Sequence, residues 1–315
     1  MSRRTKYLDL IKNCDSSPED DGKLYSSFYK LLLPDDPRAH GFMLPSTVRK
    51  MPWTSDFAID HIARRVQVLN TGSDLSNASI SAFQKLIDSA IDQDIFSILH
   101  GQHSEMYRII GANYPVRLER FASSLFGIIS RGAHLTAYTC SASGDIRIWV
   151  PRRSAHMFTY PGMLDSTVAG GVKAEDSPFD CIVHEADEEA SLPEELVRRD
   201  AKSCGVLTYM GMSDPGSGGE QGLVCPDLIY AFDIELGDGV VPKPRDDEVQ
   251  EFYLWDVEQV KKAMFRAEFK PNCALVMIDF FIRHGIIRED NEEDFVEIAT
   301  RLHRKLPIAT APSKG

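Results

Sequence analysis

Glu185, Glu188 and Glu189 stand at i, i+3 and i+4, so on a helix all three carboxylates leave one face. Like charges so placed repel one another and weaken the helix unless a cation gathers them. Oxygen-only, carboxylate-rich sites suit a hard divalent ion, Mg²⁺ or Mn²⁺, and that ion in turn suits phosphate chemistry. One carboxylate must also accept the proton of an attacking water. A second acidic run, RDDEVQEF at 245–252, supplies further candidates in a loop ahead of a late helix.

The helix that must carry the trio is well marked. Ser177 reads as its N-cap, Pro178 fits the first helical position, and Asp180 sits where a capping box places an acid. Phe179, Ile182, Val183, Ala186 and Ala190 recur at helical spacing and form an apolar face, off which the glutamates lie. Positive charge for a phosphate comes from Arg152 and Arg153, at the end of a strand that leads toward this helix; an arginine fork pairs two phosphate oxygens. Arg147 alternates with Ile146 and Ile148 and faces away from them. Trp149, Phe158, Tyr160 and Tyr230 offer aromatic surface for an organic ring, although a core role is the commoner one for such residues. His100, His103, His134 and His156 have no metal-ligand spacing and read as structural. No phosphate-cradling P-loop or dinucleotide fingerprint occurs.

Further out, apolar periodicity predicts helices over 79–99 and 116–130 in the first part of the chain, with two short strands around a polar turn between them. A hairpin follows, with strands at 134–140 and 145–152 flanking Ser-Gly. After the glutamate helix come strands at 204–212 and 228–236, joined by the glycine-rich loop 213–222, which can lie over a site. Helices over 257–265 and 271–284 close the pattern, the second stopped by Gly285. This order predicts an α/β protein in which helices clasp a mixed sheet, with an α+β region before it. The expected division is 1–130, 131–307 and a flexible tail, 308–315.

Composition narrows the class. A net charge of −12 argues against a nucleic-acid groove, which needs basic surface. No run approaches ~20 apolar residues, so no membrane span is expected. The N-terminus lacks the apolar core of a signal peptide. Six scattered cysteines without CxxC spacing point to reduced thiols and a cytoplasmic setting.

The run GGVKAEDSPFDCIVHEADEEASL, 170–192, resembles the Nudix box, G-x5-E-x7-R-E-U-x-E-E-x-G-U, U being a bulky apolar residue. Gly170 takes the first glycine, Glu185 the first helical glutamate, and Glu188-Glu189 the E-E pair. Asp176, His184, Ala186 and Ser191 depart from the pattern at its first glutamate, arginine, apolar and late glycine positions. IWVPRRSAHMFTYPGMLDSTVAGGV (148–172), EFKPNCALVMIDFFIRHGII (268–287), MYRI, LERFASSLFGI and GAHLTAY are similar to a narrower branch. It comprises fungal proteins, with plant relatives, related to thiamine pyrophosphokinase. The resemblance implies a Nudix α/β/α sandwich with a mixed sheet, preceded by a smaller α+β N-terminal domain. It implies Glu185, Glu188 and Glu189 as metal ligands with the Gly170 carbonyl, and a loop glutamate, Glu248 or Glu251, as base. The activity implied is hydrolysis of thiamine diphosphate or its oxidised analogues to monophosphate and phosphate, by a monomer or homodimer. A prenyl or nucleoside diphosphate is the alternative substrate, and a catalytically weak diphosphate-binding regulator the alternative role.

Overall fold

A computed structural model describes residues 6–17, 25–70, 72–100 and 105–313. The first elements are α1 (Tyr7–Cys14), β1 (Tyr29–Leu33), β2 (Asp36–Met43), α2 (Pro45–Lys50), β3 (Phe57–Asp60), β4 (Arg65–Val68), α3 (Leu75–Asp92), β5 (Met106–Arg108) and β6 (Arg117–Glu119). The sandwich then follows as β7 (Ser130–Cys140), β8 (Ile146–Arg153), β9 (Val168–Gly171), α4 (Pro178–Ala190), α5 (Glu194–Asp200), β10 (Lys202–Met212), β11 (Val224–Glu235), β12 (Val249–Asp256), α6 (Val257–Phe265), α7 (Pro271–Arg283) and α8 (Phe295–Arg301).

The main sheet runs β10-β11-β7-β8-β12, with β9 on β7. It is mixed: β11 lies parallel to β7, and the other pairs are antiparallel. One edge of β7 takes β9 over Gly132–Leu135 and then β8 over Tyr138–Cys140. Alternation sorts side chains between two layers. Ala133, Leu135, Ala137, Trp149, Phe232 and Ile234 pack on Cys181, Ile182, Val183, Ala186 and Ala190 of α4. Ile148, Val150, Leu207, Ile229 and Ala231 face α1, α6, α7 and α8 instead. The result is the α/β/α sandwich expected from the element order.

A second, four-stranded sheet, β2-β1-β4-β3, is backed by α3 through Phe83, Leu86, Ile87 and Ala90, in a core that reaches Phe126 and Ile128. Leu223, just before β11, also enters this core. Conversely, α1 at the start of the chain belongs to the sandwich. Tyr7, Leu10 and Ile11 sit among the apolar residues of α7, and Asp15 beyond it accepts from Arg304 Nη1 at 2.7 Å.

Two early expectations change. The helix predicted over 79–99 ends at Asp92. The helix predicted over 116–130 is absent: Arg117–Glu119 is a strand paired with Met106–Arg108, and Ser123–Phe126 is a short 3-10 turn. Gly127 ends that turn at φ +61, with the Phe42 carbonyl 2.0 Å from where a Cβ would stand. Leu118, Leu125 and Ile128 therefore meet one core without helical geometry. Of the two short strands expected around a polar turn, the second forms as Met106–Arg108 but the first is a 3-10 turn, Ser97–Leu99; the polar turn lies partly outside the described residues, as does His103.

The end of the chain also departs from a flexible tail. Ile308 is buried beside Tyr25, Phe28 and Phe42, and Ala309 N–H donates to the Ala39 carbonyl at 3.0 Å. Apolar burial outweighs the chain entropy expected for a terminus. Ile308→Ala should destabilise the fold by about 2–4 kcal/mol, the range for an aliphatic deletion in a packed core. Urea denaturation checks this, and a change under about 0.5 kcal/mol would mean that the segment is as loose as its sequence suggests.

Candidate active site

Local sequence chemistry sets the glutamate helix firmly. Ser177 Oγ accepts from Asp180 N–H at 3.0 Å, and Pro178 opens α4. At the other end Ser191 takes the left-handed conformation, φ +54, where the box has glycine. Its N–H and that of Leu192 donate to Asp187 and Ala186 carbonyls, a helix-terminating turn. The Ser191 hydroxyl donates to the Lys243 carbonyl at 3.0 Å, a contact glycine could not make. Ala186 is fully buried against the sheet, so a bulkier residue is not needed to fill that position. His184 is exposed and stands near Asp180, not among the glutamates.

The three carboxylates occupy graded environments. Glu189 is buried, and its Oε2 accepts from Ala169 N–H on β9 at 3.0 Å. Burial first, then Glu185 and Asp165, hold Glu189 well above the usual carboxylate range. Burial, with Glu188 and Glu248 adding to it, pushes Glu185 up to about 7. Glu188 is exposed. Gly170 explains how Glu185 reaches β9: a Cβ there would lie 2.4 Å from Glu185 Cγ and Oε1. A buried carboxylate raised by a half-buried neighbour, itself raised by Glu188 and Glu248, fits a cation, which removes that repulsion.

The acidic loop is lashed to the end of α4. Lys243 N–H donates to the Ala190 carbonyl, Asp246 N–H to the Glu188 carbonyl, and Arg245 pairs with Asp187. Ser154 N–H holds the Glu248 carbonyl at 2.8 Å. Glu248 therefore stands close enough to raise both Glu185 and Glu189, and burial raises Glu248 itself. Glu251 is elsewhere. It lies on β12 rather than in a loop, is exposed, and accepts from the Tyr253 hydroxyl at 2.5 Å.

The two strand-end arginines separate for the same alternating reason. Arg152 shares the face of Ile148 and Val150. Its Nε donates to the Tyr253 hydroxyl at 3.1 Å and its Nη1 to the Gly162 carbonyl at 2.9 Å, away from the glutamates. Arg153 turns to the other side and is buried. It donates from Nη1 to Asp165 Oδ2 at 2.7 Å, and from Nε and Nη2 to the Thr159 carbonyl. Its charge reaches Glu189 and Glu248, but its hydrogen bonds anchor the 159–165 segment. Trp149 is core, packed over α4, and Tyr230 lies half-buried between apolar clusters. Of the aromatic candidates, Tyr160 and Phe158 do line a cavity.

That cavity, about 280 Å³, lies between the N-terminal half and the sandwich. A smaller one of about 120 Å³ adjoins it and is lined by Gly170, Gly171 and His134. Tyr107, Arg120, Ser130, Asp227, Lys270 and Asn272 line both, so the two form one cleft that ends at the box glycine. Sequence spacing did not single out these residues, although Arg120 and Lys270 fall inside LERFASS and EFKPN. Arg120 lies over the rings of Tyr107 and Phe121, each centroid 5.6 Å away, and pairs with Glu105 at 2.9 Å. Lys173 pairs with the same Glu105 at 3.1 Å, and Arg120 and Lys173 both feel Glu185.

Behind the smaller cavity lies a buried group, His134, Asp165 and Cys273, whose ligand-type atoms fall within 4.8 Å of one another. The Cys273 thiol donates to Asp165 Oδ1 at 2.6 Å, and His134 Nδ1 meets Ser166 Oγ at 2.9 Å. Burial and nearby Lys270 hold His134 down at about 4. Burial would raise Asp165, but Lys270 and Arg153 together keep it well below the usual carboxylate range. With Arg153 paired to its carboxylate and Lys270 nearby, this group pins the start of α7 to the sheet.

Similarity to known proteins agrees with this layout. A family profile described as NUDIX domain matches residues 133–273. The uncharacterized protein YJR142W of Saccharomyces cerevisiae is 30% identical over 96% of this chain and 92% of its own length. Nudix hydrolase 20, chloroplastic, and Nudix hydrolase 24, chloroplastic, both of Arabidopsis thaliana, are 35% and 34% identical over 66% and 62% of this chain. The chain spans only about half of those two plant proteins, 54% and 52%. With a box helix facing a β9 glycine inside an α/β/α sandwich, residues 133–273 of the chain form a Nudix domain.

Proposed function

We propose that the protein is a Mg²⁺- or Mn²⁺-dependent diphosphohydrolase of an organic diphosphate, with thiamine diphosphate or its oxidised analogues as the substrate. The observation that carries the reading is the approach of Glu185 to Gly170, beside buried Glu189 and with Glu248 facing both. The thiamine half of the proposal is supported by the resemblance of 148–172 and 268–287 to the thiamine pyrophosphokinase-related branch.

Glu185, Glu188, Glu189 and the Gly170 carbonyl would hold the ion. A bound divalent ion screens phosphate charge and lowers the pKa of a coordinated water. Water oxygen bonds to the terminal phosphorus, the bridging P–O bond breaks, and monophosphate and phosphate leave. Glu248 takes the proton from the water: it is raised by burial and lashed to the box helix, so its carboxylate is both basic enough and held in place. Arg120 and Lys270, in the shared part of the cleft, pair with phosphate oxygens. The test is a panel of diphosphates incubated with Mg²⁺. Phosphate release from thiamine or oxothiamine diphosphate is the expected result. Release from geranyl or farnesyl diphosphate alone would favour the biosynthetic alternative, and binding without turnover a regulatory role.

The carboxylates also predict a pH signature. Glu185 binds its proton more tightly in the folded chain than in the unfolded one, since it moves from 4.5 up to about 7. Stability without metal is therefore full below about pH 4.5 and is lost as pH rises toward 7, by up to about 3 kcal/mol. Saturating Mg²⁺ should restore it, because the ion replaces the proton. Thermal unfolding at pH 5 and pH 8, with and without Mg²⁺, reads this. A Mg²⁺ effect equal at both pH values would remove the carboxylates as its source.

A further inference from the structure

We propose that Asp227 is the specificity-determining residue of the cleft, where its carboxylate receives a nitrogen heterocycle, cationic or N–H-bearing, on the organic half of the diphosphate. The proposal rests on the diphosphohydrolase reading above and adds what the enzyme recognises.

Its position follows from sheet register. Tyr209, Asp227 and Ser130 are direct neighbours across β10, β11 and β7, so their side chains stand in one row on one face. Farther along, that face is buried under α7 through Ile229 and Ala231. At this end α7 has only begun, at Pro271, and the space left is the cleft. The Tyr209 and Ser130 hydroxyls stand near enough to the carboxylate to favour its charged form. Among the described residues it joins no salt bridge within 4 Å. Burial pushes it up to about 6, while those two hydroxyls and Lys270 draw it down.

A carboxylate here is of no use to phosphate chemistry, for a diphosphate repels it. Facing a hydrocarbon chain, it would be desolvated without compensation. Facing a ring N–H or a cationic ring, it gains a charge-assisted hydrogen bond or a counter-charge. The walls suit such a ring. Phe121 and Phe158 meet edge to face at 6.2 Å, Phe158 keeps 42% of its surface exposed, and the Tyr160 hydroxyl is fixed by Asp214 and Ser217. Phosphate cations and a ring acceptor thus share the middle of a cleft that has the aromatic walls in one part and the box glycine in the other.

Asp227→Asn keeps the shape and removes the charge. Steady-state kinetics with Mg²⁺ should show KM for thiamine diphosphate rising by at least about tenfold with kcat within about threefold. KM for geranyl diphosphate and inhibition by inorganic pyrophosphate should not move. Wild type itself should prefer thiamine diphosphate to geranyl diphosphate, a comparison that does not depend on the variant folding. An unchanged thiamine diphosphate KM in the variant, equal weakening of all three ligands, or a wild-type preference for geranyl diphosphate overturns the proposal. Calorimetry with thiamine, which has no phosphate, separates the two readings. Thiamine binding that Asp227→Asn abolishes upholds the role of Asp227 even if no diphosphate is hydrolysed, whereas no thiamine binding to wild type overturns it.

Discussion

Glu189→Gln should lower kcat by at least ~100-fold while leaving the fold as stable as before, or more so, in the absence of metal. The two halves of this expectation have one cause. Glu189 is buried, faces Glu185 and Asp165, and is held far above the ordinary carboxylate range. An amide retains the oxygen that accepts from Ala169 N–H at 3.0 Å, so β9 and α4 stay joined. It removes the negative charge that burial and like neighbours oppose. It also removes a metal ligand, the loss of which costs the chemistry rather than the structure. Phosphate release and thermal unfolding, measured on one preparation, give both numbers. Turnover within about tenfold of wild type would show that Glu189 is not part of the metal centre. Glu188→Gln, at an exposed position, should cost less.

Gly170→Ala should reduce kcat by about 10- to 100-fold with little change in stability. The added methyl carbon would stand 2.4 Å from Glu185 Cγ and Oε1 and 2.6 Å from Cδ, distances no real contact survives. The Gly170 backbone is not in the left-handed region, so alanine brings no strain of its own and reduces unfolded-chain entropy. The burden falls on Glu185, which must swing away. Removing that side chain tests the explanation: in a Glu185→Ala background, which has no Cγ to clash, Gly170→Ala should cost little further activity. Additive losses in the double variant would place the defect in β9 itself.

Much of the sandwich was legible because its signals are local. Ser177-Pro178 caps a helix by its own chemistry, and the hairpin at β7–β8 announces itself by alternation around a turn. The glutamate trio could be read for the same reason, since its spacing is intrahelical. Arg152 and Arg153 show where local reading fails. Adjacent residues on a strand face opposite layers, and only the layer assignment decides which approaches the site. The helix expected over 116–130 failed similarly, because its apolar spacing serves a core reached from strand, 3-10 turn and glycine. Arg120, Asp227 and Lys270 come from three remote segments and carry no shared spacing. Motif similarity drew attention to two of those segments without saying what they do.

The docking of α1 against α7, with Asp15 tied to Arg304, joins segments far apart in sequence. Contacts of such long separation are slow to form, and synthesis proceeds from the N-terminus. The apolar stripe Tyr7, Leu10 and Ile11 therefore waits for β10 and the helices after it before it is covered. Helices made later close over α1, so the sandwich core on this face is sealed only after they emerge.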